Sequence, residues 1–219
     1  MVDNHKELSA YLALTALVIC GLASSLITGS KLVHFGIDFP FSNIIFSIFT
    51  YPIIDCICEL WGKKLARQAL WTGLLSQLFV ACILQISILA PSPIFWQLQT
   101  EYSAILSVSG RVILASLAAF TVSQILDISI YQRLKLFSQG KWLWLRTNIS
   151  TYVGQIVDST IFVLIIFHDS PQIFHILLGS IAVKIILSFC MTPVVYGIVM
   201  GVHRYLDYQT LAFRIDAVE

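Results

Sequence analysis

Charge is what this chain most conspicuously lacks. Only 11% of its 219 residues are Asp, Glu, Lys or Arg, while 58% are hydrophobic. A soluble domain carries about a quarter charged residues. A soluble core of this length cannot bury so much apolar surface, and the mean hydropathy of +0.85 agrees. The solvent is therefore a bilayer. A net charge of +1 with no basic face excludes a nucleic-acid partner. The leader "MVDNHKE" mixes acids with bases, and no small-residue cleavage pattern follows a short apolar core, which argues against a removable signal peptide.

Catalytic and metal signatures are missing too. The five cysteines (Cys20, Cys56, Cys58, Cys82, Cys190) all lie within apolar runs. Cys56 and Cys58 are too close together for a zinc loop, and no histidine pair follows. They read as small polarizable packing residues. There is no His-Glu-x-x-His: His5, His34, His168, His175 and His203 stand isolated at ends or in loops. No Gly-rich phosphate loop exists, so the chain does not itself hydrolyse ATP. These gaps imply no metal, no cofactor and no catalytic residues.

What is present is a series of apolar runs. A crossing needs about 20 such residues, and six stretches qualify: about 8–28, 41–60, 68–90, 108–131, 148–168 and 173–202. The last is long enough to tilt, and "MTPVVYG" (191–197) places a proline kink in it. Short connections leave no room for a soluble domain. The expectation is one all-α domain over 1–219, an integral membrane bundle of six transmembrane helices. Cations are unevenly placed: "ELWGKKLAR" (59–67) and "QRLKLFSQGKWLWLR" (132–146) are rich in them. "GSKLVHFGIDFP" (29–40) has Lys31 alone, while "PSPIFWQLQTEYS" (91–103) and "HDSPQ" (168–172) have none. The positive-inside rule then makes both termini cytoplasmic, and Trp61, Trp96, Trp142 and Trp144 fall near the interfaces.

Polar residues inside these runs carry the functional signal. "STYVGQIVDSTIFV" (150–163) holds Gln155 and Asp158 in a stretch otherwise fit for lipid, and "VSQILDISI" (122–130) echoes it one span earlier. Such an echo on oppositely directed spans is either an inverted repeat, a transporter device, or a chance likeness between isoleucine-rich segments. Residues three, four and seven apart share a helix face. That gives stripes of Tyr51, Asp55 and Glu59; of Phe120, Gln124, Asp127 and Tyr131; of Asn148, Thr151, Gln155, Asp158 and Phe162; and of Ser180, Lys184 and Ser188. Four lipid-facing charges at Asp55, Asp127, Asp158 and Lys184 would cost on the order of 10 kcal/mol. They must face inward. At a rise of about 1.5 Å per residue, Asp158 lies ~16 Å deep and Lys184 reaches a similar level from the other side, so these two are the economical pair. Gln77 and Gln85 read instead as interhelical contacts.

A carboxylate accepts two parallel N–H bonds, and each Gln or Asn offers one donor face and one acceptor in a plane. Aromatic rings on the same stripes can stack on a flat heterocycle. The set suits a planar, donor-rich ligand; it would equally suit a proton relay.

Three blocks, "YPIIDCICELWGKKLARQALWTG" (51–73), "SQILDISIYQRL" (123–134) and "LWLRTNISTYVGQIVDSTIF" (143–162), resemble the signature blocks of the queuosine precursor transporter family, the vitamin uptake transporter (VUT) type. The spacing onward to Lys184 also fits. The resemblance implies a six-helix, multi-pass protein of the bacterial cell inner membrane. It implies import of a 7-deazaguanine-type base destined for tRNA modification, in its cyano (preQ0), aminomethyl (preQ1) or queuine form. It marks Asp55, Glu59, Arg67, Gln124, Asp127, Arg146, Asn148, Gln155, Asp158 and Lys184 as motif positions. The candidate substrate-binding set is Asp55, Glu59, Gln124, Asp127, Tyr131, Asn148, Gln155, Asp158, Phe162 and Lys184. The expected partners are the small-molecule base and the lipid bilayer; oligomeric state is left open. Two other readings stand beside it. One is a substrate-binding membrane subunit dependent on a separate energising ATPase module, which composition does not exclude. The other is an integral-membrane enzyme: "DCICELWGKKLAR" superficially resembles the acidic motif of CDP-alcohol phosphotransferases, yet the Asp-Gly pair and the two aspartates four apart are absent.

Overall fold

A computed structural model describes residues 5–28, 31–34, 36, 38–106, 110–139, 141–166 and 173–206. The connection 168–172 and the edges of the expected spans at 108–109 and 167–168 lie outside the described residues. Helix dominates because apolar runs facing hydrocarbon must satisfy every backbone group internally. In order come α1 (His5–Thr28), the strands β1 (Leu32–His34) and β2 (Asp38–Pro40), and α2 (Ser42–Ile45). A π-helical turn, Phe46–Thr50, leads into α3 (Tyr51–Leu89), followed by α4 (Gln99–Leu106), α5 (Gly110–Phe137), α6 (Leu143–Ile166) and α7 (Ile173–Tyr205). Among the described residues, four helical segments are long and apolar enough to cross a membrane: His5–Thr28, Ser42–Leu89, Leu143–Ile166 and Ile173–Tyr205. Their outward faces present large apolar side chains such as Leu12, Leu75, Phe79, Leu164 and Ile186. The result is an all-α bundle of a kind suited to lipid.

The structure redraws several expected boundaries. No loop separates the runs 41–60 and 68–90. Helical geometry holds on both sides of a single residue, Gly62, whose φ of 80° is one that side chains rarely adopt. Packing on α1 shows what this break does. Tyr11 stacks edge-on against Trp61 at 5.7 Å and donates to the Leu65 carbonyl at 3.1 Å. One end further along α1, Gly21 abuts Thr50 and Phe49, while Leu22 and Val18 abut Gly73. Thr50 and Gly73 therefore lie at the same level, and Gly62 reverses the chain. The limbs before and after it run antiparallel.

Other differences are extensions. The helix expected over 108–131 continues to Phe137, the one expected from 148 starts at Leu143, and the last reaches Tyr205. An apolar run ends where lipid ends, but a helix need not, and the projecting turns carry the charges Lys135 and Arg146. The last helix is unbroken through Pro193, which withdraws only one backbone hydrogen bond. A small antiparallel ribbon, Leu32↔Pro40 to His34↔Asp38, occupies the first connection. The third folds into α4, tied to α3 by Ser87–Tyr102 at 2.9 Å and Gln99–Ile88 at 3.0 Å. All five cysteines are free thiols.

Candidate functional site

The polar stripes face the interior: every member except Phe162, which is half-buried, is buried. They meet in levels along the bundle axis.

At the Gly62 end, Glu59 sits at the centre of an ion cluster. Its Oε1 accepts from Arg146 Nη2 at 2.5 Å and its Oε2 accepts from Tyr131 Oη at 2.9 Å. Lys135 Nζ reaches Oε2 at 3.3 Å and donates to the Glu59 carbonyl at 2.8 Å. Arg146 further donates through Nε to Tyr131 Oη, lies over that ring at 5.6 Å, and donates through Nη1 to the Lys141 carbonyl. A guanidinium suits this place because its forked donors meet several acceptors at once. Glu59 and Tyr131 are thus held by protein partners, binding α3 to α5 and α6. Asn148, one level on, exchanges hydrogen bonds with Thr192 of α7 at 3.1 and 3.2 Å and donates to the Trp144 carbonyl.

One turn deeper on α3, Asp55 accepts from Thr151 of α6 at 2.9 Å. At the far level, Lys184 Nζ lies 2.5 Å from Asp158 Oδ2, both side chains nearly shut from solvent. The pair inferred from depth alone is therefore formed.

Between these levels lies a different environment. Gln124, Asp127 and Gln155 are fully buried, and none of their side-chain polar atoms makes a hydrogen bond of ordinary geometry within the protein, although Tyr51 stands near Gln124 and Ser150 near Asp127. Ser159, the residue after Asp158 on α6, adds a buried, unpartnered hydroxyl. Glycine creates the closeness: a Cβ on Gly154 would stand 3.2 Å from Asp127 Cβ and 3.3 Å from the Ser123 carbonyl. Only the missing side chain lets α6 approach α5 so nearly, which sets Gly154 against Asp127 with Gln155 the next residue on α6. Tyr51, bonded to Ser123 at 3.4 Å, lies within Coulombic range of both Asp158 and Asp127. Phe120 crosses Tyr51 edge-on at 6.2 Å and meets Phe46 at 5.5 Å. Asp55 and Asp127 are likewise within Coulombic range of one another.

Leaving a buried polar group unpaired costs about 1–3 kcal/mol. Six such atoms on three side chains thus withhold on the order of 10 kcal/mol of interaction from the fold. Chemically they offer one carboxylate and two carboxamides on the facing stretches of α5 and α6, with the Tyr51 phenol and the Phe120 ring near the α5 side. That arrangement can read the edge of a flat heterocycle.

The acids and amides of the sequence stripes do gather, but in two functional groupings. Gln124, Asp127 and Gln155 form the unpartnered core. Asp55 and the Asp158–Lys184 pair border it, whereas Glu59, Tyr131 and Asn148 are occupied by protein partners, and Phe162 stands one turn beyond Asp158. Sequence reasoning missed the π-helical turn Phe46–Thr50, which has no sequence signature and brings Phe46 against Phe120. It also missed Lys135 as a partner of Glu59 and Thr192 as a partner of Asn148. The Glu59 partner had a signal, a cation one turn past Tyr131 on the same helix. Gln77, read as an interhelical contact, leaves its Oε1 unpaired.

A family model described as putative vitamin uptake transporter matches residues 40–198. Among its relatives, the probable queuosine precursor transporter of Bacillus subtilis (strain 168) is 29% identical over 168 residues, covering 74% of this chain and 72% of its own. The queuosine precursor transporter of Escherichia coli (strain K12) is 25% identical over 163 residues, covering 70% and 71%. A probable queuosine precursor transporter of Haemophilus influenzae is 27% identical over 175 residues, covering 75% and 72%. No solved structure matches the chain.

Proposed function

The chain belongs to the putative vitamin uptake transporter family, a family of transporters and not of enzymes, and from that premise we propose that it imports a queuosine precursor, a 7-deazaguanine-type base, across the bacterial inner membrane. The relatives' names support the substrate class. One observation carries the reading on this chain's own side: the buried, unpartnered set of Gln124, Asp127 and Gln155 beside Tyr51 and Phe120. The Asp127 carboxylate accepts the ring N–H and the exocyclic amino N–H of the base. A carboxamide from Gln124 or Gln155 pairs with the remaining edge, since its N–H donates to the ring carbonyl. Tyr51 and Phe120 bound the ring faces. Asp158 does not accept the base directly; Lys184 already neutralises it.

The membrane arrangement in this proposal is one domain crossing six times. Ser42–Leu89 counts as two crossings because of the reversal at Gly62, and α5 packs lengthwise between α3 and α6. Lys63, Lys64, Lys135, Lys141 and Arg146 all fall at the Gly62 end, with the start of α1 and the end of α7. This supports cytoplasmic termini by the positive-inside rule. The ion cluster around Glu59 then closes the cytoplasmic side of the site, and alternating access requires α3 to part there from α5 and α6.

The purified chain, reconstituted alone in liposomes, should take up radiolabelled base. Expression in a bacterium lacking its own importer should restore queuosine in tRNA when that base is supplied. Uptake that appears only with an added ATPase module would replace the reading with that of a substrate-binding subunit. No binding of any deazaguanine base would end it.

A further inference from the structure

The buried charges around the site do not balance as written. Among the described residues of the helices that line it, the buried charged side chains are four acids, Asp55, Glu59, Asp127 and Asp158, and two bases, Arg146 and Lys184, with Lys135 partly exposed (18%) beside Glu59. Glu59 has Arg146 and Lys135, and Asp158 has Lys184. Asp55 and Asp127 have no cation. Asp55 is held by a neutral hydroxyl, Thr151, and Asp127 makes no hydrogen bond of ordinary geometry, with only the neutral Ser150 hydroxyl nearby. They flank successive turns of α6, Asp55 at Thr151 and Asp127 at Gly154, three residues apart.

Two buried carboxylates this close resist ionising together, and an unpaired buried charge is avoided by taking up a proton. We propose that Asp55 and Asp127 share one proton, and that this proton is the ion carried inward with the base. One proton on the pair, with Lys135 counted beside Glu59, brings these seven groups to neutrality. The inference rests on the transport reading above and extends it to the driving force. Base bound at Asp127 stabilises the carboxylate form there, so the shared proton moves to Asp55, where Thr151 remains as its neighbour. Base and proton then favour each other, and they cross together. If the proton leaves, two adjacent negative charges weaken the hold on the base. This coupling is what symport requires.

The surroundings leave these two acids as the titrating pair. From α3, Tyr51, Cys56, Cys58 and Glu59 approach; from α5, Tyr131 and Lys135; from α6, Arg146 and Asp158; from α7, Lys184, with His203 near the Glu59–Lys135 cluster. On the face toward α3, α1 offers Leu14, Thr15 and Val18 at this level and no titratable group. The other acids are each already matched by a cation.

The test uses the full chain and 7-cyano-7-deazaguanine, whose substituent carries no proton of its own. Its affinity for the detergent-purified protein is measured across pH. A bell-shaped profile is expected, with the alkaline flank falling about tenfold per pH unit, one proton per base. Asp55→Asn, which holds the position neutral, should remove the alkaline flank alone. In phosphatidylethanolamine–phosphatidylglycerol vesicles the lumen should acidify with base entry, and an imposed inward proton gradient should drive accumulation. Base uptake with a flat pH profile and no acidification overturns the proposal and leaves the transport reading standing. An infrared measurement decides it even if no base binds. The ligand-free protein should show a buried carboxylic-acid band at neutral pH that shifts in heavy water and is altered in both Asp55→Asn and Asp127→Asn. Its absence also overturns the proposal.

Discussion

Lys184→Met gives the most direct reading of what holds the site open. In the native protein the ammonium lies 2.5 Å from Asp158, with 5% and 12% of the two side chains exposed. Methionine keeps most of the side-chain length and its apolar stem but strands the carboxylate. Breaking a buried pair by removing one partner costs about 3–5 kcal/mol, whereas removing both charges is often close to neutral. A loss of 3–5 kcal/mol is roughly a 150- to 5,000-fold shift in the unfolding equilibrium. Asp158→Leu alone leaves the ammonium stranded and should cost a similar amount. The double variant should recover to within about 1 kcal/mol of wild type, so the cycle should give a coupling of several kcal/mol. Unfolding by sodium dodecyl sulfate in mixed micelles, followed by circular dichroism, measures all four corners. If the two single losses simply add, with coupling below about 0.5 kcal/mol, the pair does not hold α6 to α7 and the levels drawn above are wrong.

Gln155→Leu should weaken base binding about tenfold in an equilibrium assay while leaving the thermal midpoint unchanged or higher, since the amide it removes has no partner in the fold; a large fall in midpoint would show that the amide is structural. Gly154→Val should separate α5 from α6 and reduce uptake at least tenfold, read as initial rate per folded protein, because its first added atom already meets Asp127 at 3.2 Å. Gly197→Ala, with open space around it, should be silent in the same assay. Gly62→Ala forces a side chain into a φ of 80° and should cost about 1–3 kcal/mol, visible as a lower unfolding midpoint; an unchanged midpoint would mean the reversal tolerates other conformations.

Much of this protein was legible in one dimension, and the reason is the solvent. Lipid makes every buried charge expensive, so Asp55, Asp127, Asp158 and Lys184 announce an interior by their presence. Helical periodicity alone then puts Gln124 with Asp127 and Gln155 with Asp158. Depth counting paired Lys184 with Asp158, since both reach one level from opposite ends. The uneven cations at 59–67 and 132–146 were visible, and the structure brings Lys135 and Arg146 to one residue, Glu59.

Tertiary structure decided what each polar group is for. Glu59, Asp55, Asp127 and Asp158 look alike in sequence: each is an acid on an inward stripe. They differ only in what other helices bring to them, which is two cations and a phenol for Glu59, a hydroxyl for Asp55, an ammonium for Asp158, and for Asp127 only the Ser150 hydroxyl, too loosely placed for an ordinary hydrogen bond. No periodicity encodes that difference, because partner identity depends on contacts between segments tens of residues apart. The reversal at Gly62 was hidden for the opposite reason. A single backbone angle, open only to glycine without strain, did the work expected of a nine-residue loop.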